Sequence, residues 1–190
     1  MEKKRYPRAE ALAVAEELTA ALAPVCSRIA VAGSLRRGKP TVGDVELLFV
    51  PRFEERPHEL WKPLQFNLAE EEIGNLLARG TLAKRPSIKG TFAWGAKNKL
   101  ALHRNGIPVD LFTATAANWG NYLVCRTGPA ESNMLIAMEA QKRGWKWNPY
   151  DAGFSRGGPL AGEREEHAVT SEEDVFAFVG LPYHPPEERR

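Results

Sequence analysis

Cysteine is nearly missing from this chain. Among 190 residues there are only Cys26 and Cys125, far apart in sequence. That excludes a disulfide framework and any cysteine-built zinc site, and it points to a reduced cytoplasmic setting with two buried thiols. Histidine is scarce too. His58, His103, His167 and His184 are scattered without ligand spacing, and no metal role is assigned to them. No apolar run approaches the ~20 residues of a membrane span. The first residues, MEKKRYPRAE, lack the apolar segment of a signal peptide. No membrane partner is expected. Internal repeats and low-complexity tracts are absent as well, which excludes solenoid and fibrous architectures. Excess charge of one sign is lacking: the formal net charge is +2.

What is present is ordinary for a soluble globular protein, with 43% apolar and 26% charged residues. The length fits one domain, or one domain with a small appended lobe, and suffices for a real core. Charge is unevenly placed. Between Thr81 and Val109 stand Lys84, Arg85, Lys89, Lys97, Lys99 and Arg104, with no acid among them, whereas Gly162 to Asp174 is rich in acids. Phe92 and Trp94 are interleaved with these cations. Such a segment suits contact with a phosphate backbone, and it equally suits a solvated hairpin. Of the five tryptophans, Trp94 alone is a candidate stacking platform; the others are expected in the core or at a lobe boundary.

Hydrophobic spacing predicts an amphipathic helix over residues 8–23, with Ala11, Val14, Leu18 and Leu22 on one face, ended by Pro24. Strands are predicted at 28–33 and 42–51. They lie too close for a crossover helix, so they are expected to pair as neighbours. A proline-broken connection over residues 52–66 has no evident role. A helix over 68–79 ends at Gly80, and short strands follow at 82–85, 91–95 and 98–103. The RNG stretch at 104–106 marks a turn into a strand over 107–114. The character changes near Trp119. A helix is predicted over 131–143, a small hairpin from Trp145 through the Gly-rich stretch to Gly162, and a capping box T-x-x-E at Thr170 opening a short last helix.

One stretch stands out: GSLRRGKPTVGDVELLF, residues 33–49. In a strand, residues i and i+2 share a face, so Asp44 and Glu46 project together while Val45, Leu47 and Phe49 face the core. Paired carboxylates repel unless a cation neutralises them. Asp110 sits in another apolar strand, and a neighbouring position would bring it to the same place. Three carboxylates with few other donors describe a site for a hard ion, Mg²⁺ or Mn²⁺. The plainer alternative is the solvent face of a half-exposed strand. Upstream, Gly33 and Ser34 follow a strand where an anion could approach the backbone, and Arg36 and Arg37 offer planar donors matched to phosphate.

This stretch resembles the palm motif of the nucleotidyltransferase superfamily, and in particular of the family X, polymerase beta-like DNA polymerases. The resemblance continues through IPVDLF at 107–112. RTGPAESNMLIAMEAQKRGWKWNPYDAGF and SEEDVFAFVGLPYHPPEERR resemble that family's thumb. It implies an α+β fold. A nucleotidyltransferase palm over residues 1–118, with a mixed or antiparallel sheet and helices, would be followed by a small α/β thumb lobe over 119–190. The residues matching the family's nucleotide site are Gly33, Ser34, Arg37, Gly43, Thr127, Gly128 and Asn133; Arg126, which departs from the family, is a further candidate nucleotide contact through phosphate. The resemblance implies that Asp44 and Glu46 bridge two Mg²⁺ (or Mn²⁺) ions and that Asp110 binds the catalytic one. The implied partners are a dNTP and gapped or primed DNA, held in part by Lys84, Lys89, Lys97, Lys99 and Arg104.

Four departures qualify the pattern. Glu46 stands where the family has Asp, and Cys125-Arg126 replaces an aromatic pair. Ala137 replaces an arginine that braces the templating base, and Pro108 replaces a basic residue. About thirty residues precede Gly33, so a palm-plus-thumb form without lyase or hairpin lobe is expected. A monomer in a bacterial or viral setting fits that form. The leading function is a gap-filling, repair-type DNA polymerase of low fidelity. The alternative is a non-templated nucleotidyltransferase acting on RNA, a small molecule or a protein hydroxyl. A non-catalytic DNA-binding protein with the same fold is a third class, and the intact carboxylate set argues against it.

Overall fold

The computed structural model describes residues 4–57, 62–87, 89–158 and 163–189. His58, Trp61, the middle of the proline-broken connection and the Gly162 end of the Gly-rich stretch lie outside the described residues. Strand β1 (Tyr6–Pro7) leads into helix α1 (Arg8–Leu22), which buries Ala11, Val14, Ala15, Leu18 and Leu22 at helical spacing. A 3-10 turn with Pro24 stops it. Then come β2 (Cys26–Val31), the short helix α2 (Gly33–Arg36), β3 (Thr41–Val42), β4 (Val45–Pro51), β5 (Phe53–Arg56) and β6 (Leu64–Asn67). Helix α3 (Leu68–Ala78) is capped by Asn67, whose side-chain oxygen accepts from the Ala69 and Glu70 amides. Strands β7 (Leu82–Lys84), β8 (Asn98–His103) and β9 (Pro108–Thr113) follow.

The chain divides into two compact units, Met1–Val31 with Pro40–Thr113, and Ala32–Lys39 with Ala114–Arg190. The expected boundary at residue 118 therefore falls slightly late, and α2 groups with the second unit rather than the first. The first unit is built on a five-stranded mixed sheet of order β2-β4-β9-β8-β7. Its strands pair antiparallel except β4 with β9, which run parallel. Helix α1 packs on β2 and β4 and against α3. The two expected strands at 28–33 and 42–51 do pair as neighbours, although the second is interrupted at Gly43 and Asp44. The expected strand over 91–95 is reduced to isolated bridges, Pro86 with Phe92 and Trp94 with Lys99. Strands β5 and β6 form a separate ribbon, and Arg56 at the end of β5 bridges Glu54 on the same strand and Glu71 on α3.

The second unit contains α4 (Trp119–Thr127), α5 (Ala130–Lys142), the strands β10 (Lys146–Trp147), β11 (Gly153–Arg156) and β12 (Glu165–Ala168), and α6 (Glu172–Phe178). Its core gathers Val124, Ile136, Trp147, Phe154, Val175 and Phe176. Helix α4 has little sequence signal because it carries Gly120 and the fully buried Asn121. The structure explains both. A Cβ at Gly120 would lie 2.8 Å from the Ser171 backbone. Asn121 accepts from the Trp147 indole at 2.6 Å and donates to the Asn148 and Asp151 carbonyls, so its burial leaves no polar atom unmatched. The capping box is displaced by one residue from the expected Thr170. Ser171 is the N-cap, and Asp174 accepts from the Ser171 amide and from both the amide and hydroxyl of Thr170. Glu173 is exposed and takes no part.

Candidate active site

In the first unit, β4 is buried along residues 47–50, while Asp44 and Glu46 at its N-terminal end are only half-buried and alternate with buried Val45 and Leu47. The parallel register sets Glu46 beside Asp110. Neighbouring strands lie ~4.8 Å apart, so the two carboxylates rise from adjacent backbone positions. Asp44, Asp110, Arg85, Ser87, Lys89 and Pro108 line an open cleft of about 410 Å³. Gly43, next to Asp44, is buried.

Oxygen donors from three carboxylates suit a hard divalent ion, and the backbone register fits one. The side chains are arranged otherwise. Among the described residues, no group of three or more His, Cys, Asp or Glu side chains is gathered closely enough to hold a metal. Asp110 is instead held by Arg85, whose Nη2 donates to Oδ1 at 2.5 Å.

In the second unit, Gly33 opens α2 with φ 63°, a conformation that favours glycine. Ser34 follows on the helix, half-buried, and its carbonyl accepts from the Lys39 amide. The two arginines have different roles. Arg36 makes a bidentate pair with Glu172 at 2.6 and 2.8 Å and donates to the Thr127 hydroxyl at 2.6 Å. Arg189, itself buried, donates to the same Glu172 carboxylate at 3.1 Å. Arg36 is therefore a structural tie between α2, α4 and α6 rather than a phosphate donor. Arg37 donates to the Thr127 carbonyl. Gly128 ends α4 with φ 62° and ψ −150°, and a Cβ there would lie 3.3 Å from Arg37 Nη1.

Asn133 donates to the Cys125 carbonyl at 2.8 Å, closing the end of α4 against α5. Arg126 lies over both the Tyr122 and Tyr150 rings, 5.3 Å from each centroid. Burial pushes the Tyr122 phenol above its ordinary value, and nearby Arg126 acts in the opposite direction.

The expected DNA-contacting cations separate into two groups. Lys84, Lys89 and Lys97 are exposed. Lys84 stands over the half-exposed Trp94 ring at 5.0 Å, and Phe92 nearby is 62% exposed. Lys99, expected to contact DNA, is buried instead. It is 2% exposed, pairs with Glu70 and donates to the Gly95 carbonyl, because a buried ammonium needs partners. It cannot reach a polyanion. Arg104 is exposed but paired with Glu17 at 2.8 Å on α1. Sequence reasoning missed the roles of Arg85, Glu172 and Arg189. Nothing local marks them, since each meets its partner across many residues.

Residues 122–190 match the DNA polymerase beta thumb family. DNA polymerase lambda of Rattus norvegicus is 28% identical over 165 residues, covering 83% of this chain and 28% of that protein. The chain thus spans less than a third of that relative's length. The solved structure of Leishmania infantum polymerase beta, a ternary P/T complex, superposes with a TM-score of 0.74 at 21% identity. The match covers 98% of this chain and 77% of that one, and it establishes the shared α+β fold. Thumb match, relative and fold point the same way: this chain is similar to the polymerase beta-like DNA polymerases of family X.

Proposed function

We propose that this protein is a DNA polymerase that adds a deoxynucleotide to a primer 3′-hydroxyl in gapped DNA, in repair-type synthesis of low fidelity. The observation that carries the reading is the register of Glu46 beside Asp110, with Asp44 just ahead on the same strand end. Asp44, Glu46 and Asp110 would hold two divalent ions, which when bound would lower the pKa of the primer hydroxyl and neutralise charge on the departing pyrophosphate. The longer Glu46 side chain keeps the same donor atoms as the aspartate usual at this position. Ser34 and Arg37, with the Gly33 and Gly43 backbones, would bind the triphosphate, and Thr127 and Gly128 would lie against the nucleotide sugar. Catalysis by such a site is chiefly positioning and charge neutralisation.

One feature favours low fidelity. Ala137 is partly buried against the core of the second unit, and its methyl group is too short to brace a templating base. Arg126, which lies over the Tyr122 and Tyr150 rings, bears instead on deoxyribose against ribose selection and on contact with phosphate. Asn133 belongs to the proposal as a contact to the base edge. Lys84, Lys89 and Lys97, with Phe92 and Trp94, would follow the DNA backbone.

The test offers labelled dNTPs and NTPs, with Mg²⁺, to gapped DNA, to single-stranded RNA and to the protein alone. Extended DNA primer with template-matched dNTP is the expected product. Labelled RNA or labelled protein without primer extension would instead identify a non-templated nucleotidyltransferase.

A further inference from the structure

We propose that Arg85 is a built-in counter-cation for Asp110, one that competes with a divalent ion and must release the carboxylate before the site can be loaded. The inference deepens the proposed function and rests on its reading of Asp44, Glu46 and Asp110 as metal ligands.

Three carboxylates at the N-terminal ends of β4 and β9 are half-buried, and Asp110 is only 17% exposed at its side chain. Like charges so placed raise one another's energy unless a cation stands close. Arg85 supplies that cation from a fixed position. Its amide donates to the Leu100 carbonyl at 2.9 Å and its Nε to the Ala101 carbonyl at 3.2 Å. Leu100 is the cross-strand partner of Asp110. The arginine therefore reaches Asp110 across β8, anchored on that strand by backbone and side chain alike. At 25% side-chain exposure the pair is partly shielded from water, where an ion pair counts for more than at an open surface.

The same arrangement opposes a metal. A guanidinium on one oxygen of Asp110 draws on the lone pairs a divalent ion needs, and its positive charge repels the ion at close range. Apparent affinity is then reduced by the fraction of molecules in which Asp110 has been released. This accounts for adjacent carboxylate positions that nevertheless do not gather into a metal centre. The exposed Lys89 and the half-buried Ser87 line the same cleft as Arg85.

The decisive experiment is a Mn²⁺ titration of the full chain without nucleotide, followed by electron paramagnetic resonance. Arg85→Gln is expected to bind Mn²⁺ about tenfold more tightly than the parent, a typical coupling between competing sites. Arg85→Lys, which keeps the charge and loses the fork, should fall between them. Thermal melting supplies a second readout: without divalent ions Arg85→Gln should melt below the parent, and Mn²⁺ should raise its midpoint by more. Equal or weaker Mn²⁺ binding by Arg85→Gln, when it is folded by circular dichroism, would overturn the competition. Asp110→Asn separates this from failure of the ligand reading, since weaker Mn²⁺ binding by that variant supports the carboxylate as a ligand. Parent binding that Asp110→Asn leaves unchanged would overturn the ligand reading and the competition with it.

Discussion

Single residues in this chain owe their roles to partners that the sequence does not place beside them. Lys97 and Lys99 are two positions apart in one basic stretch, yet one is exposed and the other buried on Glu70. Period-two alternation along β8 could have warned of this, because Ala101 and His103 on the face of Lys99 are buried as well. Arg36 and Arg37 are likewise inseparable in sequence, and only the long-range Glu172 distinguishes them. Gly128 is different, since its conformation is a strict local requirement. Its φ of 62° with ψ near −150° is a region reserved almost entirely for glycine. Gly128→Ala is expected to cost about 1–3 kcal/mol of stability in chemical denaturation. The nearby Arg37 Nη1 adds crowding to that strain. An unchanged denaturation midpoint would contradict this account of the turn.

At the scale of elements, the strongly periodic segments were legible and the polar ones were not. Helix α1 follows from its apolar spacing, and β4 and β9 from their Val, Leu and Phe content. Helix α4 escaped because Asn121 is an interior residue there only by virtue of three partners brought from β10 and the following turn. The start of α6 was legible to within one residue, and its capping carboxylate makes a prediction. The Thr170 hydroxyl, then the Thr170 and Ser171 amides, hold Asp174 below its ordinary value of 3.8. A carboxyl depressed in the folded state adds stability above its unfolded value, and that stability is lost as pH falls through the lower folded value. Melting curves between about pH 5 and pH 2 should therefore fall less steeply for Asp174→Asn than for the parent. Asp174→Asn should also begin from a lower midpoint near neutrality, because the capping carboxylate is gone. Parallel curves for the two proteins would show that this cap has no part in acid sensitivity.

Across the whole molecule, a net charge of +2 hides a cationic stretch in which some charges face water and others are already matched. Counting lysines could not make that division, because burial depends on where β8 lies in the sheet. It leads to a paired test on DNA binding. Lys84→Ala should weaken binding to gapped DNA and lower the salt dependence by about one counterion. Lys99→Ala should leave that slope unchanged and reduce thermal stability instead, since it strands Glu70 and empties a buried position. A lower salt slope for Lys99→Ala would contradict the placement of that side chain. Among the described residues no helix is long and apolar enough to cross a membrane.

The carboxylate set was the most legible part of the candidate site, because a strand's alternation and the motif around Asp44 point the same way. What the sequence could not disclose was Arg85, which holds the third carboxylate from just past the end of β7. The central claim is that Asp44, Glu46 and Asp110 form the centre of nucleotidyl transfer to DNA. Single-turnover primer extension on gapped duplex with Mg²⁺ and the matched dNTP, comparing the parent with Asp110→Asn, tests it most directly. Extension by the parent is expected, with a rate reduced by about 10³-fold in the variant, the scale of losing a group that stabilises the transition state. Extension by Asp110→Asn at the parent's rate would contradict it.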